Sequence, residues 1–173
     1  MPIPLSPGQF YIANVGGARS SGLEIEGTVR PHADVQLFAS FGYTHAHFAS
    51  GSLSGGLSVA GKILPNMPTA TGTLGAEVSR PLGRLTLYGR GEAVVYGTMQ
   101  YDDANTQAQG AYAVADVRAG VRHERMFAEA WVKNAFDTRY VPLAFAYPGL
   151  APSGFIGEMG KPRTFGVRLG VTF

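Results

Sequence analysis

The sequence predicts an all-β chain: an antiparallel up-and-down segment of a transmembrane β-barrel, with about eight strands, short periplasmic turns and long extracellular loops. Three observations carry that prediction. Residues 162–173, PRTFGVRLGVTF, set Phe165, Val167, Leu169, Val171 and Phe173 against Thr164, Gly166, Arg168, Gly170 and Thr172. Such strict alternation fits a strand and no helical stripe. Second, tight turns alternate with loops of roughly 14 to 27 residues, as in barrels whose two ends differ. Third, the apolar faces are rich in Ala and Gly while the opposite faces carry charges at mid-strand. A dry barrel interior needs bulky filling, whereas lipid tolerates small residues, so the apolar faces point outward.

In order along the chain, residues 1–8 are Pro-rich and read as a tail, and residues 9–173 as the barrel. A first strand is expected at 9–14 (QFYIAN), then a Gly-rich turn. The next strand, 21–30, puts Leu23, Ile25, Gly27 and Val29 on one face and Glu24, Glu26, Thr28 and Arg30 on the other. Pro31 to Asp34 turn the chain, because Pro cannot donate within a ladder and Asp favours turns. A third strand, 35–48, opposes Val35, Leu37, Ala39, Phe41 and Tyr43 to Gln36, Phe38, Ser40, Gly42 and Thr44.

A Gly- and Ser-rich loop, 49–68, leads to a strand at 69–79 with Ala70, Gly72, Leu74, Ala76 and Val78 outward. RPLGR at 80–84 turns into a strand at 85–96, with Leu85, Leu87, Gly89, Gly91, Ala93 and Val95 on its apolar face. After the polar loop 97–110 comes a strand at 111–122, with Ala113, Ala115, Val117, Ala119 and Val121 outward. The strand at 125–134 fits least well, since Phe127 and Trp131 share a face with Glu129 and Lys133. A long loop, 135–161, in which YVPLAFAY could extend a strand above the membrane, precedes the last strand. The polar faces together hold Glu24, Glu26, Glu77, Arg90, Glu92, Asp116, Arg118, Arg122, Glu129, Lys133 and Arg168, a set suited to pairing across a hydrated lumen.

Composition excludes several classes. The 173 residues hold 24 Gly, no Cys and a net charge of +2. Disulfides and thiolate metal sites are therefore absent, and basic residues are scattered singly, without a nucleic-acid footprint. No run of about 18 apolar residues exists, so no transmembrane helix is expected. MPIPLSPGQF has neither a basic nor an apolar signal segment, and an export signal is expected outside this sequence.

No enzyme is expected. His45 and His47 share a strand face and could hold a metal, but no third ligand is evident. Glu24 with Glu26, and Glu92 with Arg90, read as lumenal charge pairs, while SGSLSGG lacks a nucleophile-elbow context. No cofactor motif is present. Within the long loops, Tyr101, Asp102, Asp103, Tyr140, Phe145 and Tyr147 are the polar and aromatic groups most able to touch a ligand, although Tyr is also ordinary at a membrane interface.

NVGGARSSGLEIEGTVRP at Asn14 to Pro31, LPNMP at Leu64 to Pro68, KNAFDTRY at Lys133 to Tyr140 and GKPRTFGVRLGVTF at Gly160 to Phe173 together resemble the C-terminal barrel of TonB-dependent outer-membrane receptors, in order and spacing. The resemblance covers essentially residues 9 to 173. It implies an outer-membrane location and a part in uptake of a siderophore, haem, cobalamin or similar bulky ligand, with lipid and the barrel assembly machinery as partners and no nucleic acid. It also implies that Phe173 is the assembly signal, and that TonB would act only through a plug domain missing here. Only material resembling the last eight of about 22 strands is present, so a fragment, a truncated product or a shortened barrel is expected. A stand-alone eight-stranded barrel with a structural or adhesive role is the alternative; its interior would hold side chains and pass no siderophore.

Overall fold

Alternating residues build long antiparallel strands throughout the computed structural model, which describes residues 14–147, 149 and 152–171. In chain order the strands are β1 (Ala18–His32), β2 (Val35–Phe48), β3 (Leu53–Ser54), β4 (Leu57–Ser58), β5 (Ala70–Leu82), β6 (Leu85–Tyr96), β7 (Met99–Gln100), β8 (Ala108–Gln109), β9 (Tyr112–His123), β10 (Met126–Lys133), β11 (Leu143–Ala146), β12 (Phe155–Glu158) and β13 (Thr164–Val171). Seven form one sheet in the order β1-β2-β5-β6-β9-β10-β13, every neighbour antiparallel. Because the strands alternate in direction, the first and seventh run the same way, from the loop end to the turn end. The remaining six make three small hairpins, β3-β4, β7-β8 and β11-β12, all within the long loops.

The strand expected at 9–14 lies outside the described residues apart from Asn14, which is not in a strand, and Phe173 lies outside them too. YVPLAFAY does not extend a neighbouring strand. Its Leu143–Ala146 segment folds onto Phe155–Glu158 as a separate hairpin.

Register places the apolar residues on one face. Ile25 opposes Phe41, Leu74 opposes Ala39 and Ala93, Ala115 opposes Ala93, and Leu169 opposes Ala128. These side chains are bare: Ile25 is 64% exposed, Leu74 67% and Leu169 75%. Water would not tolerate so continuous an apolar band, whereas lipid covers it. Phe41, Tyr43, Phe136 and Phe165, all exposed, lie toward the loop end, where an aromatic girdle belongs.

The opposite face mixes charges with aromatic rings laid over glycines. Phe38 covers Gly75 and Phe127 covers Gly170 across neighbouring strands. A Cβ at Gly120 would stand 2.6 Å from Tyr88, and one at Gly166 2.7 Å from Trp131. The two rings that disturb the alternation of β10 are thus accommodated on the lumenal face by missing side chains on β13. This device holds register as aromatic coverage of strand glycines does. Buried apolar residues gather at the loop end, as Ala46, Phe48, Val59, Met99 and Ala144. The turn end is plain: Gly83 (φ 63°) and Glu124 (φ 52°) supply left-handed positions in two of the tight turns.

Candidate functional site

At the loop end three connections fold into a cap. The first, residues 49–69, doubles back along β2: Phe48 N–H donates to Lys62 O (2.9 Å) and Leu64 N–H to Ala46 O (3.0 Å), and Ile63 bridges to His47. Buried Ser52 donates its hydroxyl to Gly17 O at 3.0 Å, tying the hairpin β3-β4 to the chain before β1. His45 and His47 have ring centroids 4.9 Å apart, and no metal-holding group of three His, Cys, Asp or Glu occurs among the described residues.

The second connection, 97–111, is closed from within by Asp102. Its Oδ1 accepts from Thr106 N–H (2.8 Å) and Gln107 N–H (3.2 Å), and its Oδ2 from the Thr106 hydroxyl (3.0 Å). Asn105, at φ 55°, turns its amide onto the first connection. Asn105 Oδ1 accepts from Ile63 N–H and Asn105 Nδ2 donates to Ile63 O, both at 2.8 Å. The side chain thereby imitates a strand partner. Ser54 adds a hydroxyl bond to Asp103 Oδ2 at 2.7 Å.

The same connection grips the third, 134–163. Tyr101 donates its hydroxyl to Val141 O at 2.7 Å, and Val141 N–H donates to Gln109 Oε1 at 2.8 Å. Burial in this contact raises the Tyr101 pKa above its usual value. Asn134, 3% exposed, holds the base of the third connection: its Nδ2 donates to Thr138 O and Lys161 O, its Oδ1 accepts from Thr138 N–H, and its N–H donates to Asp116 Oδ1 at 2.9 Å. Asp137 Oδ1 accepts from Arg163 N–H at 2.9 Å. The sequence segments KNAFDTRY and GKPRT therefore meet in space and bond to one another.

Of the residues expected to contact ligand, Tyr101, Asp102 and Asp103 are engaged in shaping the cap, as the bonds above describe. Tyr140 stacks on Tyr112, centroids 4.4 Å apart, and Tyr112 on Tyr96 at 4.9 Å, while the other side of Tyr140 covers Gly160. Phe145 pairs across its hairpin with Ile156, and Tyr147 N–H donates to Gly154 O at 2.6 Å. Sequence reasoning missed Asn105, Gln109, Asn134, Tyr96 and Tyr112. For Asn134 the signal was its place in the KNAFD motif; for Tyr96 and Tyr112, their facing positions at the loop ends of adjacent strands.

Beneath the third connection, on the lumenal face, lies a cavity of about 600 Å³ lined by the three stacked tyrosines, Met99, Met159 and Lys161. It adjoins a second, of about 710 Å³, along the wall of β6, β9, β10 and β13; Glu92, Asp116 and Lys161 line both. In the lower one Arg90 is held by Glu92 at 2.6 Å and Glu77 at 3.3 Å, and stands 4.3 Å over the Phe38 ring. Glu129, with its side chain 5% exposed, faces Arg118 at 3.8 Å and Arg168 at 3.7 Å.

This architecture recurs in solved receptors. The ferric yersiniabactin uptake receptor FyuA from Yersinia pestis matches with a TM-score of 0.81 at 22% identity, over 92% of this chain and 24% of its own. The ferric preacinetobactin receptor BauA from Acinetobacter baumannii matches with a TM-score of 0.70 at 22% identity, over 88% and 21%. The siderophore receptor PiuA from the same organism gives 0.68 at 20% identity, over 88% and 21%. The chain thus spans about a quarter of the length of these structures. The family described as TonB dependent receptor-like, beta-barrel, matches residues 2–135, well over half of the sequence. With its lipid-facing apolar band and polar lumenal wall, the chain is an outer-membrane β-barrel protein and belongs to the TonB-dependent receptor-like β-barrel family.

Proposed function

We propose that the chain forms wall and extracellular loops of a receptor for uptake of a bulky, iron-carrying ligand of the siderophore type. The observation that carries this reading is the cap: three connections bonded into one body above a lumenal cavity of about 600 Å³. A cavity of that size suits a small ligand rather than a protein. FyuA is described as a ferric yersiniabactin uptake receptor, BauA as a ferric preacinetobactin receptor and PiuA as a siderophore receptor, which supports the class of ligand. The good fit of the sheet to part of a much larger wall supports a large barrel over a closed eight-stranded one, whose curvature would be far tighter. In this reading Tyr140, Phe145 and Tyr147 on the third connection meet the ligand, while Tyr101, Asp102 and Asp103 shape the surface that receives it. TonB would act through a plug domain, and Phe173 would serve recognition by the assembly machinery.

The test is uptake of radiolabelled iron, presented as individual ferric chelates, by iron-starved cells that produce the protein with or without the hairpin 143–158. Loss of both surface binding and uptake, with the barrel still assembled in the outer membrane, is expected for the cognate chelate. Undiminished binding and uptake without the hairpin would overturn the assignment.

A further inference from the structure

The two ends of the spanning sheet meet the membrane surface with different side chains. The exposed rings of Phe41, Tyr43, Phe136 and Phe165 lie toward the loop end. At the turn end no Phe, Tyr or Trp takes an outward ladder position among the described residues; Arg80 takes one instead, paired with outward Leu87. Residues 30–34, 80–84 and 122–125, which carry the three tight turns, hold five Arg against Asp34 and Glu124. Arg30 donates to Gln36 and Arg122 stands 5.5 Å from the centroid of the Tyr88 ring, both on the lumenal side, while Arg125 shares its turn with Glu124. Hairpin β5-β6 differs. Arg80 and Arg84 flank residues 81–83 with no acid between them. The Arg80 side chain is 68% exposed, and its one ion pair among the described residues is to Asp34 at 3.9 Å, too long for a hydrogen bond. The exposed Arg84 side chain makes neither an ion pair nor a hydrogen bond among the described residues. Both neighbours of this hairpin, β2 and β9, are in place, and its outward face meets lipid however many strands complete the wall.

We propose that Arg80 and Arg84 bind the phosphodiester of an acidic phospholipid in the leaflet at the turn end. Guanidinium forks donate to phosphate oxygens two bonds at a time, and an anionic leaflet attracts basic groups at its surface. Beside the two cations stand Leu82, Leu85 and Leu87, all exposed; the ladder pairs Leu82 with Leu85 and Arg80 with Leu87. A free phosphate would use only the arginines. A lipid uses the leucines too, for its acyl chains, and so it is the occupant that matches the whole surface. Arg80 sits two residues before Leu82, about 7 Å along the strand. Its aliphatic stem therefore lies along the leucines while its guanidinium reaches the headgroups. Gly83, at φ 63°, keeps the turn tight and holds Arg84 at the tip of the same hairpin. The site lies on the outer wall and does not rest on the uptake reading.

The full chain, extracted from the membrane in a nonionic detergent, is titrated with phosphatidylglycerol or with phosphatidylcholine, and the fraction carrying one lipid is read by native mass spectrometry. A preference of about tenfold for phosphatidylglycerol is expected, as a charge-assisted contact supplies. Arg84→Gln, in the turn and outside the ladders, should reduce that preference about threefold. Combining it with Arg80→Gln should abolish the preference, and both variants should keep the wild-type far-UV spectrum. Lys62→Gln, which removes an exposed cation at the loop end, should leave the preference unchanged. Equal binding of the two lipids by the wild type, or an undiminished preference in Arg84→Gln, would overturn the site. An equal loss in Lys62→Gln would show attraction to overall charge and overturn it as well. Displacement of the lipid by millimolar glycerol 1-phosphate would assign the arginines to a soluble phosphate and overturn the lipid proposal.

Discussion

The spanning sheet and the loop cap are held together in opposite ways. In the sheet, backbone ladders run the length of every neighbouring pair, and side chains add ion pairs and ring-on-glycine contacts spread over many positions. In the cap, a few side chains substitute for ladders: Asn105 bonds Ile63, Tyr101 and Gln109 bond Val141, and Asn134 bonds Thr138 and Lys161. Repeated pairing tolerates the loss of one member. A joint made by one amide does not, so the cap is where single substitutions should be felt locally while the sheet should respond only when its environment is violated.

The largest effect should come from breaking that rule of environment. Leu169→Arg or Ala115→Arg, both on the lipid face, should cost about 2 to 4 kcal/mol in folding into lipid vesicles, while Thr73→Arg on the lumenal face should cost little. Equal costs on the two faces would reverse the assignment of inside and outside.

That distinction was legible in the sequence, because alternation is local. The bounds of β2 and β6 fall where the pattern puts them, and every outward residue read from β5 and β9 opposes an outward neighbour. Strand ends slipped: β1 begins at Ala18, inside the expected Gly-rich turn, and runs on through Pro31 to His32, leaving Ala33 and Asp34 to turn, and β5 continues through Pro81 to Leu82, leaving Gly83 and Arg84 to turn. The cap was not legible in the same way. The joints between its connections link residues 32 to 49 apart in sequence, and no periodicity marks an Asn that will bond a backbone so far away. Asp102, Asp103 and Tyr101 stood out by chemical type, yet their hydrogen-bonding groups face the cap itself.

A second substitution tests the cap. Asn134→Ala removes three side-chain hydrogen bonds at a buried site with φ 48° and should cost about 2 to 3 kcal/mol, read as loss of amide protection at Thr138 and Arg163 with the sheet still protected. Uniform loss across β10 and β13 would show that the cap and the sheet are one cooperative unit. Asn105→Ala should be milder, about 1 to 2 kcal/mol, and confined to opening of residues 61–66, measured as faster exchange at the Ile63 amide.

The smallest effect belongs to Tyr101. Tyr101→Phe deletes one hydrogen bond, and should speed exchange around Val141 about fivefold, near 1 kcal/mol. Its pH dependence has a definite sign. The folded pKa is raised above the ordinary value near 10, so the contribution is complete below that value and disappears as pH climbs through the raised one. Wild type and Tyr101→Phe should therefore differ at neutral pH and converge in strong alkali. A difference that grows with pH would contradict the burial of this phenol.

The shared direction of β1 and β13 limits what can complete the sheet. Among the described residues β1 and β13 are the outer strands, and two copies of that sheet standing the same way up in the membrane could bring them together only as parallel neighbours. An antiparallel seam between copies would turn one of them upside down, with its cap in the periplasm. Symmetric self-assembly of these seven strands thus conflicts with one-sided insertion, and an all-antiparallel wall that joins β13 back to β1 takes an odd number of intervening strands.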